Sequence, residues 1–181
     1  GIKLCQALRK QYNFDAISLM PTNLYGPADN YEDNNSHVMA ALLKKFLKAS
    51  ESNEEFVTCW GSGRPFREFM HVDDLGDAVV FALEVWDPDE SDFNLNKNDA
   101  EFISYLNVGT GKDISIFDLA NKISKATNFK GKIVWDKTKP DGTPKKLLNI
   151  EKILRLGWKP KLDLDQGIKQ TITNIKNSRL F

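Results

Sequence analysis

The chain has 181 residues, 41% of them hydrophobic, and its 25 basic residues balance 25 acidic ones. That is enough apolar material for one sizeable core, and it argues against a disordered chain and against the basic surface of a nucleic-acid binder. No apolar run approaches the ~20 residues that span a bilayer, Gly1-Ile2-Lys3-Leu4-Cys5 does not read as a signal peptide, and Cys5 and Cys59 lack metal-ligand spacing, so free thiols, no membrane contact and a cytoplasmic address are expected.

Ile2, Cys5, Leu8 and Tyr12 recur at helical spacing, and Asn13 breaks the helix. No capping residue precedes Ile2, so the helix reads as one entered part-way. The apolar run Ala16–Met20 predicts a strand buried on both faces of a parallel sheet. A helix followed by such a strand is a piece of a doubly wound α/β unit. Ligands in those folds sit beyond the carboxyl ends of the strands, where Thr22-Asn23-Leu24-Tyr25-Gly26-Pro27 falls. A polar loop through Asp29, Asn30, Glu32, Asp33, Asn34 and Asn35 leads to a helix capped by Asn35 or Ser36, with Val38, Leu42 and Phe46 on its apolar stripe.

Phe56–Trp60 alternates like a strand and runs into a Gly61-Ser62-Gly63 turn. Phe66–Val72 predicts another strand, and Asp73 the cap of a helix whose Leu75, Ala78, Val79, Ala82 and Trp86 face a core. Asp87 to Glu101 reads as a mobile, acidic surface insertion. Tyr105–Val108 is a strand turned by Gly109-Thr110-Gly111. Ser115 caps a helix carrying Ile116, Leu119, Ala120 and Ile123. After a short strand at Lys132–Trp135, a helix from about Ile150 stops at Gly157. The last helix carries Ile168, Ile172 and Ile175.

Several side chains suit chemistry at a ligand. Histidine titrates near neutrality, so His37, at a helix start beside a polar loop, suits general acid/base work or is a plain surface histidine. Lys44 and Lys45 follow it by seven and eight residues, near its side of the helix, and suit a diphosphate or form a solvated face. Arg67 lies in an otherwise apolar strand and must find a partner. That partner is a diphosphate, or Glu68, Asp73 or Asp74. Trp60 either covers a sugar or base with its ring or belongs to the core. Asp141 sits in a proline-stiffened loop, Lys139 to Pro144, which aims it at hydroxyls or is a simple turn. Lys145 and Lys146 add positive potential there or are solvated. His71 and Asp73 read as structural, and Asn149 as a helix cap.

Pro21-Thr22-Asn23-Leu24-Tyr25-Gly26-Pro27, Asn35-Ser36-His37-Val38, Trp60-Gly61-Ser62-Gly63 and Arg67-Glu68-Phe69-Met70-His71-Val72-Asp73-Asp74 occur in that order. Asn107-Val108-Gly109-Thr110-Gly111 and Lys139-Pro140-Asp141-Gly142-Thr143-Pro144-Lys145-Lys146-Leu147-Leu148 follow. Together they resemble the GDP-L-fucose synthases of the extended short-chain dehydrogenase/reductase group. The resemblance implies an α/β fold: a Rossmann remnant of one helix and one strand over residues 1–27, and a substrate-binding domain over 28–181, whose residues 72–87 pack on the Rossmann side. It implies His37 as the acid/base residue and Lys45, Trp60, Arg67 and Asp141 as contacts to a GDP-sugar. It also implies that Pro21, Thr22, Asn23, Leu24 and His37 lie beside the nicotinamide half of NADP, and that the family assembles as homodimers.

The chain itself has no Gly-rich phosphate loop and no Tyr-x-x-x-Lys pair, and neither cysteine matches the family's catalytic Cys, which like its catalytic Ser falls upstream of Gly1. Weak NADP binding, no turnover by this chain alone, and self-association through bared apolar faces are therefore expected. Two alternatives stay open: another NAD(P)-dependent nucleotide-sugar epimerase or dehydratase, and a non-catalytic module that binds a nucleotide sugar or a partner chain.

Overall fold

The computed structural model describes residues 1–32, 35–88 and 105–178, among which six helices and eight strands form. The chain opens with α1 (Ile2–Tyr12), closed by Asn13 in the left-handed conformation, where its short polar side chain is tolerated. β1 (Ser18–Pro21) pairs in parallel with β5 (Tyr105–Val108). β2 (Asn23–Tyr25) runs parallel to β4 (Phe66–His71), which pairs antiparallel with β6 (Asp113–Ser115) and parallel with β8 (Lys145–Lys146). β3 (Phe56–Trp60) and β7 (Lys132–Asp136) form a third, parallel pair. The remaining helices are α2 (Val38–Glu51), α3 (Val72–Val85), α4 (Ile116–Ala126), α5 (Glu151–Arg155) and α6 (Leu164–Ser178).

Two apolar clusters hold these elements. The first gathers Phe46, Leu43, Leu119, Ile123, Ile168 and Ile172 from α2, α4 and α6 around Val57 and Cys59 of β3. Phe46 meets Phe129 edge-on at 5.5 Å between ring centroids. The second joins Leu106 and Val108 of β5 to Ala78 and Ala82 of α3 and to Ile153 and Trp158. β4 runs between the two. Its neighbours Phe69 and Met70 point to opposite faces, as alternation in a strand requires, and Phe69 enters the first cluster while Met70 enters the second. Each fully buried side chain of this size contributes roughly 1.5–3 kcal/mol, so β4 is tied down from both sides.

Polar groups fasten the same elements. Glu68 is wholly buried. Its Oε1 accepts from the Thr110 and Gly111 N–H groups (2.6 and 2.7 Å), and its Oε2 from Leu148 N–H at 3.0 Å. Asp74 of α3 accepts from Lys161 and Leu162 N–H at 3.0 and 3.1 Å, which docks the α5–α6 linker on α3.

The structure corrects several sequence expectations. β1 is not buried on both faces: Met20 is 42% exposed and Pro21 is exposed as well. α2 is capped at His37, not Asn35 or Ser36. The N–H groups of Asn35 and Ser36 bond back to the Glu32 carbonyl (3.3 and 3.1 Å), which closes a turn before the helix starts. Val38 is consequently exposed, and Met39, Leu42, Leu43 and Phe46 carry the buried stripe. α3 is capped by His71, whose Nδ1 accepts from Asp73 N–H at 3.2 Å. Asp73 lies inside the first turn, where a carboxylate favours the positive helix end. Val79 faces outward rather than into a core, and with Val80, Leu83 and Val85 it gives α3 an exposed apolar face. Ser115 caps α4 as expected, accepting from Asp118 N–H at 3.0 Å. Most of the acidic insertion, and Asp33 and Asn34, lie outside the described residues.

Candidate functional site

Parallel pairing with β7 holds β3 so that Trp60, its last residue, stands at the strand's carboxyl end with 61% of its surface exposed. The chain then reverses through Gly61 and Gly63, both at positive φ (+80° and +75°), and returns as β4 bearing Arg67. The loop ahead of β8 lies against this turn. Asp141 Oδ1 accepts from Ser62 N–H at 2.8 Å, and Oδ2 from Ser62 Oγ–H at 2.6 Å. A Cβ on Gly61 would sit 2.5 Å from Asp141 Oδ1, so only glycine allows this approach.

Arg67 Nη1 donates to the Phe66 and Thr143 carbonyls at 2.7 and 2.5 Å. Those two partners are neutral, and neither Glu68 nor Asp74 takes the guanidinium: both spend their carboxylates on backbone N–H groups. Val38, Trp60, Pro65, Arg67, Pro140 and Asp141 line a shallow cleft of about 180 Å³. That is smaller than the ~300–1,000 Å³ typical of a small-molecule site, so it fits one portion of a nucleotide sugar. Lys45 Nζ donates to the Thr58 carbonyl at 3.0 Å and lies 5.4 Å from the Trp60 ring centroid, as does Lys139 Nζ. Each cation over an exposed ring is worth about 0.5–1 kcal/mol. The Asp141 carboxyl is held below the usual carboxylate range, chiefly by the Ser62 hydroxyl, then by Ser62 N–H and the nearby Arg64 charge.

Four of the side chains singled out in the sequence thus meet: Trp60, Arg67 and Asp141 in one cleft, and Lys45 beside Trp60. His37 does not line the cleft, but it is exposed at the start of α2 and is followed by Val38, which does. Pro21, Thr22, Asn23 and Leu24 lie outside it. Thr22 Oγ1 and Asn23 Nδ2 donate to the Glu68 carbonyl at 3.3 and 2.7 Å, which fixes the crossing from β1 to β2. Lys44 is drawn to the Tyr31 carbonyl at 2.7 Å, which pins the polar loop. A larger cleft of about 410 Å³ opens between the β5–β6 turn and the α5–α6 linker. Two of its charged residues are already paired, Asp113 with Lys145 and Lys161 with Asp77, and Lys112 and Asp163 line it as well.

Ser62, Arg64 and Lys139 were not singled out from the sequence, and Glu68 only as a candidate partner of Arg67. Glu68 carried a signal: an acidic residue within an apolar strand needs buried partners, and Gly109-Thr110-Gly111 offers bare N–H groups. Ser62 carried none, because its partner is 79 residues away.

Residues 1–95, more than half of the chain, match the NAD dependent epimerase/dehydratase family. The chain belongs to that family. Within it, the chain is 47% identical over 171 residues to a probable GDP-L-fucose synthase 1 of rice, covering 94% of this chain and 48% of the relative. A crystal structure of a GDP-6-OMe-4-keto-L-xylo-heptose reductase from C. jejuni superposes with a TM-score of 0.85 at 30% identity, over 98% of this chain and 58% of that one. A GDP-L-fucose synthetase from Naegleria fowleri, solved with NADP, gives a TM-score of 0.75 at 28% identity over 91% of this chain and 47% of that one. The chain spans about half the length of the curated relatives it matches. Among the described residues of this epimerase/dehydratase-family chain, no helix is long and apolar enough to cross a membrane, and no His, Cys, Asp and Glu cluster suits a metal ion.

Proposed function

We propose that this chain forms the GDP-sugar-binding half of a GDP-L-fucose synthase, an enzyme that epimerises GDP-4-keto-6-deoxymannose at C3 and C5 and reduces it to GDP-L-fucose. The observation that carries this reading is the meeting of Trp60, Arg67 and Asp141 in one cleft, with Lys45 against Trp60. The likeness to GDP-L-fucose synthases supports the choice of nucleotide.

In this reading the Arg67 guanidinium, oriented by two carbonyls and left with its charge, pairs with the diphosphate as a planar fork. Lys45 adds a second positive charge. The Trp60 ring covers a flat face of the ligand, and Asp141 accepts hydroxyl hydrogens. His37 moves protons at the carbons beside the ketone, a task suited to an imidazole, which carries one nitrogen to donate and one to accept. NADP, when bound, supplies the hydride. Residues 21–24 fit its nicotinamide end rather than its phosphates: the Thr22 and Asn23 donors are engaged at Glu68, and what remains outward is the exposed Pro21 ring. Residues 1–27 then belong to the cofactor side and 28–181 to the substrate side, with α3 turned toward the cofactor side and homodimers as the family's assembly.

Calorimetric titration with GDP, UDP and dTDP tests this reading. GDP is expected to bind tightest, and Arg67→Ala to weaken it about ten- to hundredfold, the equivalent of the ~1.5–3 kcal/mol of a charged hydrogen bond. Equal affinity for the three nucleotides, or an Arg67→Ala variant that binds normally, counts against it. The superposition on a GDP-keto-heptose reductase favours a second reading, reduction of another GDP-keto-sugar. That reading shares the GDP preference and differs in the sugar, so a panel of GDP-hexoses and GDP-heptoses separates the two.

A further inference from the structure

Asp141 lies exposed in a loop, yet both of its oxygens are gripped by one residue 79 positions away. The geometry fixes where the gripping proton goes. A serine hydroxyl has one donor and two acceptor sites. Ser62 Oγ accepts from Arg64 N–H at 3.2 Å and from Arg64 Nε–H at 3.1 Å. Both acceptor sites are then used, and the single hydroxyl proton is left for Asp141 Oδ2, 2.6 Å away. The Ser62 N–H takes Oδ1 from the same direction at 2.8 Å. Arg64, Ser62 and Asp141 therefore form a directed chain of hydrogen bonds, in which the guanidinium polarises the hydroxyl that holds the carboxylate.

We propose that Ser62 is a positioning residue: it sets the orientation of Asp141 in the cleft so that the free acceptor sites of that carboxylate meet the hydroxyls of a nucleotide sugar. A carboxylate has about four acceptor sites, and Ser62 occupies two. Proline on either side of Asp141, at 140 and 144, stiffens the loop, and Gly61 makes room for the clasp. The inference rests on the GDP-sugar reading for the identity of the ligand, and on the clasp alone for the behaviour of Asp141.

The sign of the charge effect follows from the depressed Asp141 carboxyl. A depressed carboxyl contributes binding-competent charge above its unperturbed value of about 4, and loses it only as pH falls through the lower folded value. Removing the Ser62 hydroxyl removes the largest cause of the depression, so the acid limb of ligand binding moves to higher pH.

The test uses the chain with GDP-mannose and GDP as probes, and Ser62→Ala, Ser62→Thr, Asp141→Asn and the Ser62→Ala/Asp141→Asn double variant. Carboxyl-carbon NMR titration reads Asp141 without any ligand. In Ser62→Ala the Asp141 titration is expected to shift upward, GDP-mannose to bind about tenfold more weakly, as for one lost charged hydrogen bond, and its acid limb to rise. Ser62→Thr, which keeps both donors, restores all three. The double variant binds no more weakly than Asp141→Asn, because Ser62 acts through Asp141. An Asp141 titration unmoved in Ser62→Ala overturns the proposal. So does a Ser62→Ala variant of unchanged GDP-mannose affinity, or a double variant whose losses add. A wild-type chain that binds neither probe sinks the GDP-sugar reading, and Ser62 then stands or falls on the carboxyl titration.

Discussion

Glu68→Gln is the most informative single change outside the cleft. Glu68 is wholly buried, and its two oxygens accept from three backbone N–H groups, those of Thr110, Gly111 and Leu148. Glutamine keeps the volume but turns one oxygen into an amide nitrogen. With its oxygen left toward Thr110 and Gly111, the amide meets Leu148 N–H donor to donor. One charge-assisted bond is lost, the other two become neutral, and two facing donors, the new amide and Leu148 N–H, are left bare, for a total of about 3 kcal/mol. In a chain of this size that lowers the melting temperature by about 6–12 °C. Urea unfolding followed by circular dichroism measures it, and amide hydrogen exchange should report lost protection at Leu148. The change should reach function too, because Glu68 is the neighbour of Arg67 and ties β4 to the segment following Asp141. A Glu68→Gln variant within ~0.5 kcal/mol of wild type would refute the role of these three bonds.

Other perturbations probe separate parts of the structure. Gly61→Ala forces a side chain onto φ +80° and against Asp141 Oδ1. It should cost about 1–3 kcal/mol and release the 139–144 loop, and unchanged resistance of that loop to limited proteolysis would contradict the clasp. The Cys59 thiol is pushed up to about 11 by burial, with Lys45 pulling weakly the other way. Its folded value lies above the unfolded one of about 8.5, so its contribution to stability is complete below that pH and fades as pH rises toward 11. Native protein at pH 8 should accordingly leave Cys59 unalkylated by iodoacetamide, and labelling as fast as in urea would count against burial. Leu83 is 68% exposed on α3. Leu83→Glu should leave stability within ~0.5 kcal/mol and reduce self-association in light scattering; equal association in both proteins would rule out this face as the cause.

Much of the fold is legible wherever one local pattern decides it. β3 matches the alternation of Phe56–Trp60 residue for residue, β5 matches Tyr105–Val108, and the Ser115 cap and the Ile168, Ile172 and Ile175 stripe follow from spacing alone. The cap positions of α2 and α3 do not. α2 starts after His37, whose side chain makes no capping bond, and His71 caps α3, with the upstream backbone groups engaged in a turn at Glu32 and in β4. β6 and β8 are short segments that become strands only because β4 offers them an edge. At the candidate site, Arg67, Trp60 and Asp141 drew notice through residue type and neighbours, while only the resemblance separated Lys45 from Lys44. The clasp at Ser62 was not, since a serine between two glycines reads as a turn until the 139–144 loop is laid over it.

The two faces of β4 divide labour in a way that matters for redesign. Arg67 looks into the cleft while its neighbour Glu68 ties together three backbone segments behind it. Altering ligand preference by editing this strand therefore endangers folding with every attempt. The 139–144 loop is different: the Asp141 side chain fastens it to Ser62 and the Thr143 carbonyl to Arg67, and its residues are exposed. Library diversity placed at Thr143, which holds Arg67 through its backbone alone, can reshape the mouth of the cleft while the Asp141 clasp stays intact.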